Sequence, residues 1–268
     1  MYPHIGHELN QPVLDVRNLT FQYSGKPAIE DITFHLHKGE NVAVVGPNGA
    51  GKSTLFKVIA GVLTPTMGEV NIFGAIPEKH VCIAFIPQRS QVDWHFPVSV
   101  ADVVMMGRSA KLKLFTVPSK KDWSIVNESL EKVELSELAN RQIGQLSGGQ
   151  QQRMFIARAL AQEAELVLMD EPLSGLDIPA QTGLLALLEK LKKEQVTVMV
   201  ATHDLEQAAQ YFDEILLLNR KLFGFGDANT VLTSENLLAA YAGRLKMVKG
   251  AYPSTGVDES CCEGGEDQ

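Results

Sequence analysis

The chain has 268 residues, of which 45% are hydrophobic and 21% are charged, as is usual for a soluble globular protein. Its formal net charge of −8 argues against a nucleic-acid partner, because binding to a phosphate backbone requires a basic surface. The same charge disfavours a purely electrostatic attachment to anionic lipid.

Three further features concern membranes, secretion and disulfides. No apolar run approaches the roughly 20 residues that a bilayer-spanning helix needs. The segment Met1 to Glu8 has neither a basic leader nor an apolar run, so we expect no secretory signal and a cytosolic protein. The three cysteines, Cys82, Cys261 and Cys262, are too few for a disulfide framework, which indicates a reducing compartment.

The first predicted elements are two strands of an antiparallel edge sheet. Leu14 to Tyr23 alternates as a strand does, but its apolar residues change phase between Val16 and Leu19. A turn follows, and Ile29 to Leu36 is the second predicted strand. Tyr23 could stack on a purine base, or it could be an ordinary packing residue.

A buried strand, a glycine-rich loop and a helix follow in direct succession. The apolar run Val42 to Val45 predicts the strand, and helical spacing of apolar residues begins at Leu55. Glycines let successive backbone N–H groups point at an anion, and the helix N-terminus adds partial positive charge. The pattern therefore predicts a nucleotide-binding phosphate loop. Its residues are Gly46, Pro47, Asn48, Gly49, Ala50, Gly51, Lys52, Ser53 and Thr54.

Three polar residues, two of them in this loop, are candidates for phosphate and metal binding. We expect Lys52 to reach the β- and γ-phosphates and the Ser53 hydroxyl to bind Mg²⁺. Gln88 follows the apolar run Val81 to Ile86, at the carboxyl end of a predicted strand, where ligands gather in an open α/β sheet. Its amide could bind Mg²⁺ or hold the attacking water, and it could equally be a loop residue.

The segment from Arg89 to Arg158 has helical spacing and predicts a helical insert. The insert contains a second pattern in which a serine and glycines precede a helix N-terminus, which again indicates an anion-binding cap. The residues of this second pattern are Leu146, Ser147, Gly148, Gly149 and Gln150.

Two adjacent carboxylates end the next predicted strand. The apolar run Leu166 to Met169 is typical of a strand buried on both faces. Because consecutive strand side chains point to opposite faces, the two carboxylates can take different tasks. We expect Asp170 to hold Mg²⁺ and Glu171 to act as general base toward the attacking water, with a solvated acidic pair as the alternative.

A tight loop, Ser174 to Asp177, precedes a predicted helix, and Val196 to Thr202 is another apolar strand. His203 comes at the carboxyl end of that strand, beside the expected position of the γ-phosphate, so we expect it to be functional. Asp204 with Gln207 resembles a capping box at the start of a helix.

The chain closes with a hairpin, a helix and a polar tail. The hairpin consists of Glu214 to Leu218 and Lys221 to Phe225, and the helix extends from Glu235 to Ala242. The residues from Gly250 onward are rich in glycine, serine and acidic residues, which predicts disorder. The adjacent Cys261 and Cys262 could bind a metal, but a solvated tail is the preferred interpretation.

With the phosphate loop, Gln88, Leu146 to Gln150, the Asp170–Glu171 pair and His203 in this order, the chain resembles an ATP-binding-cassette (ABC) ATPase over residues 13–245. The resemblance implies an α/β fold: a RecA-like P-loop NTPase core, an antiparallel β subdomain and an inserted helical subdomain. Its most specific element is the Leu146 to Gln150 segment, called the signature below.

The resemblance also implies boundaries and residue roles. The helical subdomain would occupy about residues 89–158, and residues 246–268 would form the tail. The implied activity is ATP hydrolysis, with ATP and Mg²⁺ as cofactors. Tyr23 would stack on adenine, His203 would contact the γ-phosphate, and Asp177 would couple two subunits.

The stretch Asp93 to Arg108 resembles the corresponding stretch in importers of manganese, zinc or iron. Importers of iron chelates or cobalamin have similar Phe-Pro and Gly-Arg pairs, so they are the alternative. In the importers of manganese, zinc or iron this stretch contacts a membrane permease. The resemblance assigns the contact to Trp94, His95, Phe96 and Pro97, and a core role for Trp94 and Phe96 is the alternative.

The implied partners are an integral membrane permease, an extracytoplasmic metal-binding protein that acts indirectly, and a second copy of the chain. In this homodimer the signature would act in trans on the partner's nucleotide. The implied location is peripheral, at the cytoplasmic face of the inner membrane. Two other classes are alternatives: ABC ATPases of DNA repair, translation or cluster assembly, and ATP-dependent small-molecule kinases, which have no need of the signature.

Overall fold

A computed structural model describes residues 11–77, 82–112 and 117–241, and every structural statement below concerns these residues. Val81, Ala242 and the predicted tail with Cys261 and Cys262 lie outside them. The described strands are β1 (Leu14–Tyr23), β2 (Lys26–Leu36), β3 (Asn41–Val45), β4 (Met67–Ile72), β5 (Ile83–Ile86), β6 (Leu166–Asp170), β7 (Thr197–Thr202), β8 (Glu214–Asn219) and β9 (Lys221–Gly226).

The described helices lie between these strands and after the last of them in the chain. They are α1 (Lys52–Ile59), α2 (Val100–Met106), α3 (Lys120–Lys132), α4 (Gly148–Gln162), α5 (Ile178–Lys193), α6 (Leu205–Tyr211), α7 (Ala228–Val231) and α8 (Ser234–Tyr241). None of them is both long and apolar enough to span a bilayer.

The larger of two sheets positions the candidate site. Its strand order is β5-β6-β7-β3-β8-β9, with all neighbours parallel except the β8-β9 hairpin. Because parallel strands end at the same edge, the phosphate loop after β3 lies at the same edge as Gln88, the Asp170–Glu171 pair and His203.

The large sheet is covered on both faces, which explains its continuous apolar strands. Val42 and Val44 of β3 face a core that includes α1 and the smaller sheet, whereas Ala43 and Val45 face a second core with α2 to α6. Successive side chains of β3 therefore point into one core and then the other, and none of them faces solvent.

The smaller sheet is antiparallel, with order β2-β1-β4. The phase change in β1 comes from Asn18, whose φ of 46° accompanies a shift of register between Val16 and Leu19. The side chain of Asn18 donates to Asp31 Oδ1 at 3.0 Å. Because the irregularity advances the alternation by one residue, Leu14, Val16 and Leu19 are all fully buried.

The helices α2, α3 and α4 pack on one another. Their buried side chains form one continuous core with those of α5. Helix α4 extends beyond residue 158, and its last turns contact the large sheet: Arg158 donates to Phe85 O at 3.1 Å and Gln162 to Ile83 O at 2.6 Å. The predicted division of the chain into subdomains stays a prediction.

One predicted cap is wrong, and one short helix was not predicted. The predicted capping box of α6 is wrong, because Asp204 accepts from the Gln207 backbone at 2.9 Å but the Gln207 side chain donates to Gln181 on α5 instead, at 3.0 Å. Helix α5 begins at Ile178, directly after its cap Asp177. The four-residue helix α7 was not predicted, because it is too short to show a helical period.

Candidate active site

Two glycines of the phosphate loop are required by close packing. A Cβ atom on Gly46 would lie 1.9 Å from the carbonyl oxygen of Leu218. Gly51 has a φ of 100°, and a Cβ there would lie 2.6 Å from the carbonyl oxygen of Ala28. Gly51 caps α1 without a side-chain hydrogen bond, and the first turn of α1 has no acidic residue. Its backbone N–H groups are therefore not neutralised by the protein's own carboxylates, which suits an anion.

Lys52 lies over the loop from which it starts. It is 6% exposed, and its Nζ donates to Gly46 O at 2.7 Å and to Pro47 O at 3.2 Å. Burial lowers the pKa of Lys52, and the nearby carboxylates of Glu171 and Asp170 oppose this shift. The ammonium group is thus held at the phosphate loop with carboxylates nearby, as phosphate binding requires.

An open cavity of about 320 Å³ extends over the loop. Its volume is in the range of small-molecule sites. Tyr23 at its wall is 49% exposed and packs edge-on against Phe21, with 4.8 Å between ring centroids. Its ring therefore has a free area for a base to stack on. The cavity is lined by Tyr23, Ala28, residues 48–54 and Glu171.

Asp170 has the features of a metal ligand. It is 2% exposed, and its Oδ2 atom has no hydrogen-bond partner. Burial raises the pKa of the Asp170 carboxyl, while a hydrogen bond from the Ser53 hydroxyl acts in the opposite direction. A buried oxygen without a partner needs an explanation, and a hard cation that prefers oxygen ligands supplies one. The residues present therefore fit Mg²⁺.

Glu171 is held beside Gln88. Its Oε2 atom accepts from Gln88 Nε2 at 3.2 Å and from the Ser174 hydroxyl at 3.1 Å. Its backbone has a φ of 49° and donates to Ala201 O at 3.1 Å. The contact with Ser174 was not predicted, because residue spacing does not reveal which way the loop after the strand turns.

The signature forms a reciprocal capping box at the start of α4. The Ser147 N–H donates to Gln150 Oε1 at 2.9 Å, and the Ser147 hydroxyl accepts from the Gln150 N–H at 3.4 Å. A Cβ on Gly148 or Gly149 would lie 2.9 Å from Leu176 Cδ2 or Ala180 Cβ, respectively. Gly149 is thus needed for packing, because Ala180 Cβ is fixed to its backbone, whereas the flexible end of the Leu176 side chain can move away from a Cβ on Gly148.

Two further predicted residues lie at the same edge of the sheet. His203 is exposed at the end of β7 and is not among the described residues that line the phosphate-loop cavity. Asp177 is exposed and accepts from the Ala180 N–H at 3.0 Å as the N-cap of α5. The contact of His203 with the γ-phosphate and the coupling of two subunits by Asp177 stay predictions.

The predicted permease contact divides into a packed part and an exposed part. The Trp94 indole packs against Phe155 of α4, with 5.7 Å between ring centroids. Its ring is partly buried against the core, as the alternative interpretation of Trp94 expects. Phe96 is 57% exposed, and the His95 side chain is fully exposed beside Asp93. Pro97 is exposed as well.

A mostly parallel sheet with a phosphate loop after β3, two adjacent acids at the end of β6 and a capped signature defines an ATPase of the P-loop class. Residues 29–174 match the family model described as ABC transporter. The chain is 42% identical over 247 residues to the manganese transport system ATP-binding protein MntB of Bacillus subtilis, covering 92% of this chain and 99% of that protein. The chain therefore belongs to the ATP-binding proteins of the ABC transporter family.

Two further comparisons agree. The zinc transport system ATP-binding protein TroB of Treponema pallidum is 42% identical over 233 residues, covering 87% of this chain and 88% of that protein. A solved metal-chelate type ABC transporter in an inward-facing conformation is 37% identical, with a TM-score of 0.77 over 86% of this chain and 89% of that chain. The predicted family, the fold class and the ATPase activity are confirmed.

Proposed function

We propose that this chain is the ATP-hydrolysing subunit of an importer for a divalent transition metal, with manganese as the first candidate and zinc or iron as alternatives. The observation that carries the hydrolysis part of the proposal is the unpartnered Asp170 oxygen, which suits Mg²⁺ bound to ATP and lies with Ser53 and Glu171 at the phosphate loop. The choice of manganese is supported by the similarity to MntB over 99% of that protein.

The protein groups divide the work of hydrolysis between binding and proton transfer. Lys52 and the loop N–H groups bind the phosphates of the substrate ATP, and Tyr23 stacks on its base. Ser53, Asp170 and Gln88 hold Mg²⁺, which neutralises charge on the phosphate oxygens when it is bound. Glu171 accepts the proton of the attacking water and is oriented by its bond from Gln88. His203 contacts the γ-phosphate.

A second copy of the chain completes each site in this proposal. The described lining of the phosphate-loop cavity does not include residues 146–150 of the same chain. A signature with an exposed Ser147 suits a nucleotide held by another copy, and Asp177 at the start of α5 suits contact between the two copies. ATP binding then closes the dimer and hydrolysis reopens it.

Transport requires a separate membrane permease. The exposed Phe96, with His95 and Pro97 beside it, offers an apolar contact for that partner, as anchor residues do at protein interfaces. This partner would hold the chain at the cytoplasmic face of the membrane. An extracytoplasmic protein would deliver the metal to the permease, so the metal would never touch this chain.

The test is metal uptake in a strain that lacks the gene. We expect cellular manganese, zinc or iron, measured by mass spectrometry under scarcity of that metal, to fall and to recover with the parental gene. Phe96→Ala should not restore uptake, although the purified variant keeps its basal ATPase activity and unfolding temperature. Unchanged uptake of all three metals together with failed uptake of an iron chelate or cobalamin would assign the chain to that alternative importer.

A further inference from the structure

Arg89 connects three segments for which the sequence predicts different tasks. It directly follows Gln88, whose amide donates to Glu171 Oε2 at 3.2 Å. Its main-chain oxygen accepts a hydrogen bond from Trp94 Nε1 at 3.0 Å. Its side chain donates from Nε to Oε1 of Gln151 on α4, at 2.6 Å. A charged donor at this distance makes one of the stronger hydrogen bonds in the described structure.

Gln151 is a fixed acceptor. It is 3% exposed, and its Nε2 atom donates to Leu146 O at 3.3 Å and to Ile143 O at 3.5 Å. Because the other end of its amide is held by the segment that leads into the signature, the amide cannot turn to follow Arg89. The bond therefore ties the residue after Gln88 to the first turn of α4.

The position of the guanidinium is not explained by charge. A Cβ on Gly148 would lie 3.2 Å from Arg89 Nη1, so the guanidinium lies beside the N-terminus of α4. A positive group there is opposed by the helix dipole. The bond to Gln151 offsets this repulsion. Because the charge itself does not stabilise the helix, helix stability does not explain the contact.

We propose that Arg89 is a positioning residue for ATP hydrolysis: its bond to Gln151 makes the signature and Gln88 move as one unit. The inference rests on the proposed function, because it assumes that Gln88 and the signature serve the same reaction. Arg89 acts through Gln88 and α4, and the indole bond of Trp94 joins the predicted permease contact to the same unit. Displacement of positioned groups by about 1 Å is enough to slow an enzyme severely.

The test compares Arg89→Met, Arg89→Lys and Gln151→Met in the full-length chain. Each methionine variant should lower the kcat of ATP hydrolysis about tenfold, because a hydrogen bond from a charged group is lost. ATP binding, measured with a fluorescent ATP analogue, should be unchanged because the phosphate loop is intact. The double variant should lose no more than either single variant, since both remove the same bond. Arg89→Lys should recover about half of the parental kcat, because it keeps a charged donor.

Arg141→Met, at an exposed arginine in the same helical part of the chain, is the matched control and should keep the parental kcat. Parental turnover in Arg89→Met overturns the inference, as does a double variant whose loss equals the product of the two single losses. If Gln151→Met does not fold, equal kcat values for Arg89→Met and Arg89→Lys overturn it. A failure of the proposed metal import would leave the ATPase activity of the parent protein unchanged and would appear only in the uptake experiment.

Discussion

Glu171 is the proposed general base, and hydrogen bonds of both its backbone and its side chain hold it in place. Its φ of 49° is uncommon for a residue with a side chain, and its N–H donates to Ala201 of β7. Its carboxylate accepts from Gln88 and Ser174 on the same oxygen, Oε2. The second oxygen, Oε1, remains for the attacking water. This arrangement favours a general base over a solvated acid.

We therefore predict that Glu171→Gln binds ATP as the parent does but loses steady-state hydrolysis. The amide cannot accept the proton, and positioned proton transfer contributes about 10²- to 10⁴-fold to the rate. The variant should accumulate as an ATP-bound dimer, measured by size-exclusion chromatography with ATP. Lys52→Ala, which should lose ATP binding, is the contrasting control. Turnover within about threefold of the parent would show that Glu171 is not the base.

The location of the site residues was predictable to the extent that each follows a buried strand. Gln88, Asp170 and His203 end apolar runs, and parallel strands bring such ends to one edge. Contacts between loops were not predictable. The bonds of Ser174 to Glu171 and of Arg89 to Gln151 depend on the paths of loops and helices, which residue spacing does not specify.

At the scale of elements, a buried arginine joins three helices. Arg108, which follows α2, is 6% exposed and donates to Asp122 Oδ1 on α3 at 3.2 Å, to Ala161 O on α4 at 2.8 Å and to Glu163 at 2.9 Å. The preceding Gly107 has no room for a side chain, because a Cβ would lie 2.3 Å from Arg158 O. Close packing at Gly107 and the hydrogen bonds of Arg108 therefore explain why these two residue types occur together here.

The effect of Asp122 on stability should depend on pH. Hydrogen bonds from Ser119 hold the pKa of the Asp122 carboxyl below its ordinary value of 3.8, and Arg108 acts in the same direction. A pKa lower in the folded state means that the stabilisation is complete above the unfolded pKa and is lost as the pH falls through the folded pKa.

We predict that Asp122→Asn lowers the urea midpoint at neutral pH. Its difference from the parent should stay constant down to about pH 5 and shrink below about pH 4. Glu131→Gln, on the exposed face of the same helix, is the control and should unfold like the parent at each pH. A difference that grows on acidification would contradict the role of the charged carboxylate.

The predicted elements agree with the structure wherever a long pattern specifies them. The strands of the large sheet were predictable because burial on both faces gives continuous apolar runs. The third strand of the small sheet, β4, pairs with β1, and this pairing was not predicted. Such pairing depends on contacts between residues that are distant in the chain.

At the scale of the whole molecule, one chain presents two predicted anion-binding segments at separate places. The phosphate loop has its own cavity, and the described lining of that cavity omits the signature. Two copies that face each other would bring the segments of different chains together around each nucleotide, in the two-fold arrangement typical of homodimers. Such a dimer would also couple the two sites to one permease.

The central claim, that each ATP site is shared between two copies, is tested most directly by mixing two inactive proteins, Lys52→Ala and Gly148→Asp. A mixed dimer keeps one intact site, built from Lys52 of the second protein and the signature of the first. Equal mixing makes half of the dimers mixed, each with one of two sites, so we expect about a quarter of the parental ATPase activity. Both variants must first keep the parental unfolding temperature. Mixed dimers that form, as shown by cross-linking, and yet hydrolyse no ATP would contradict the shared site.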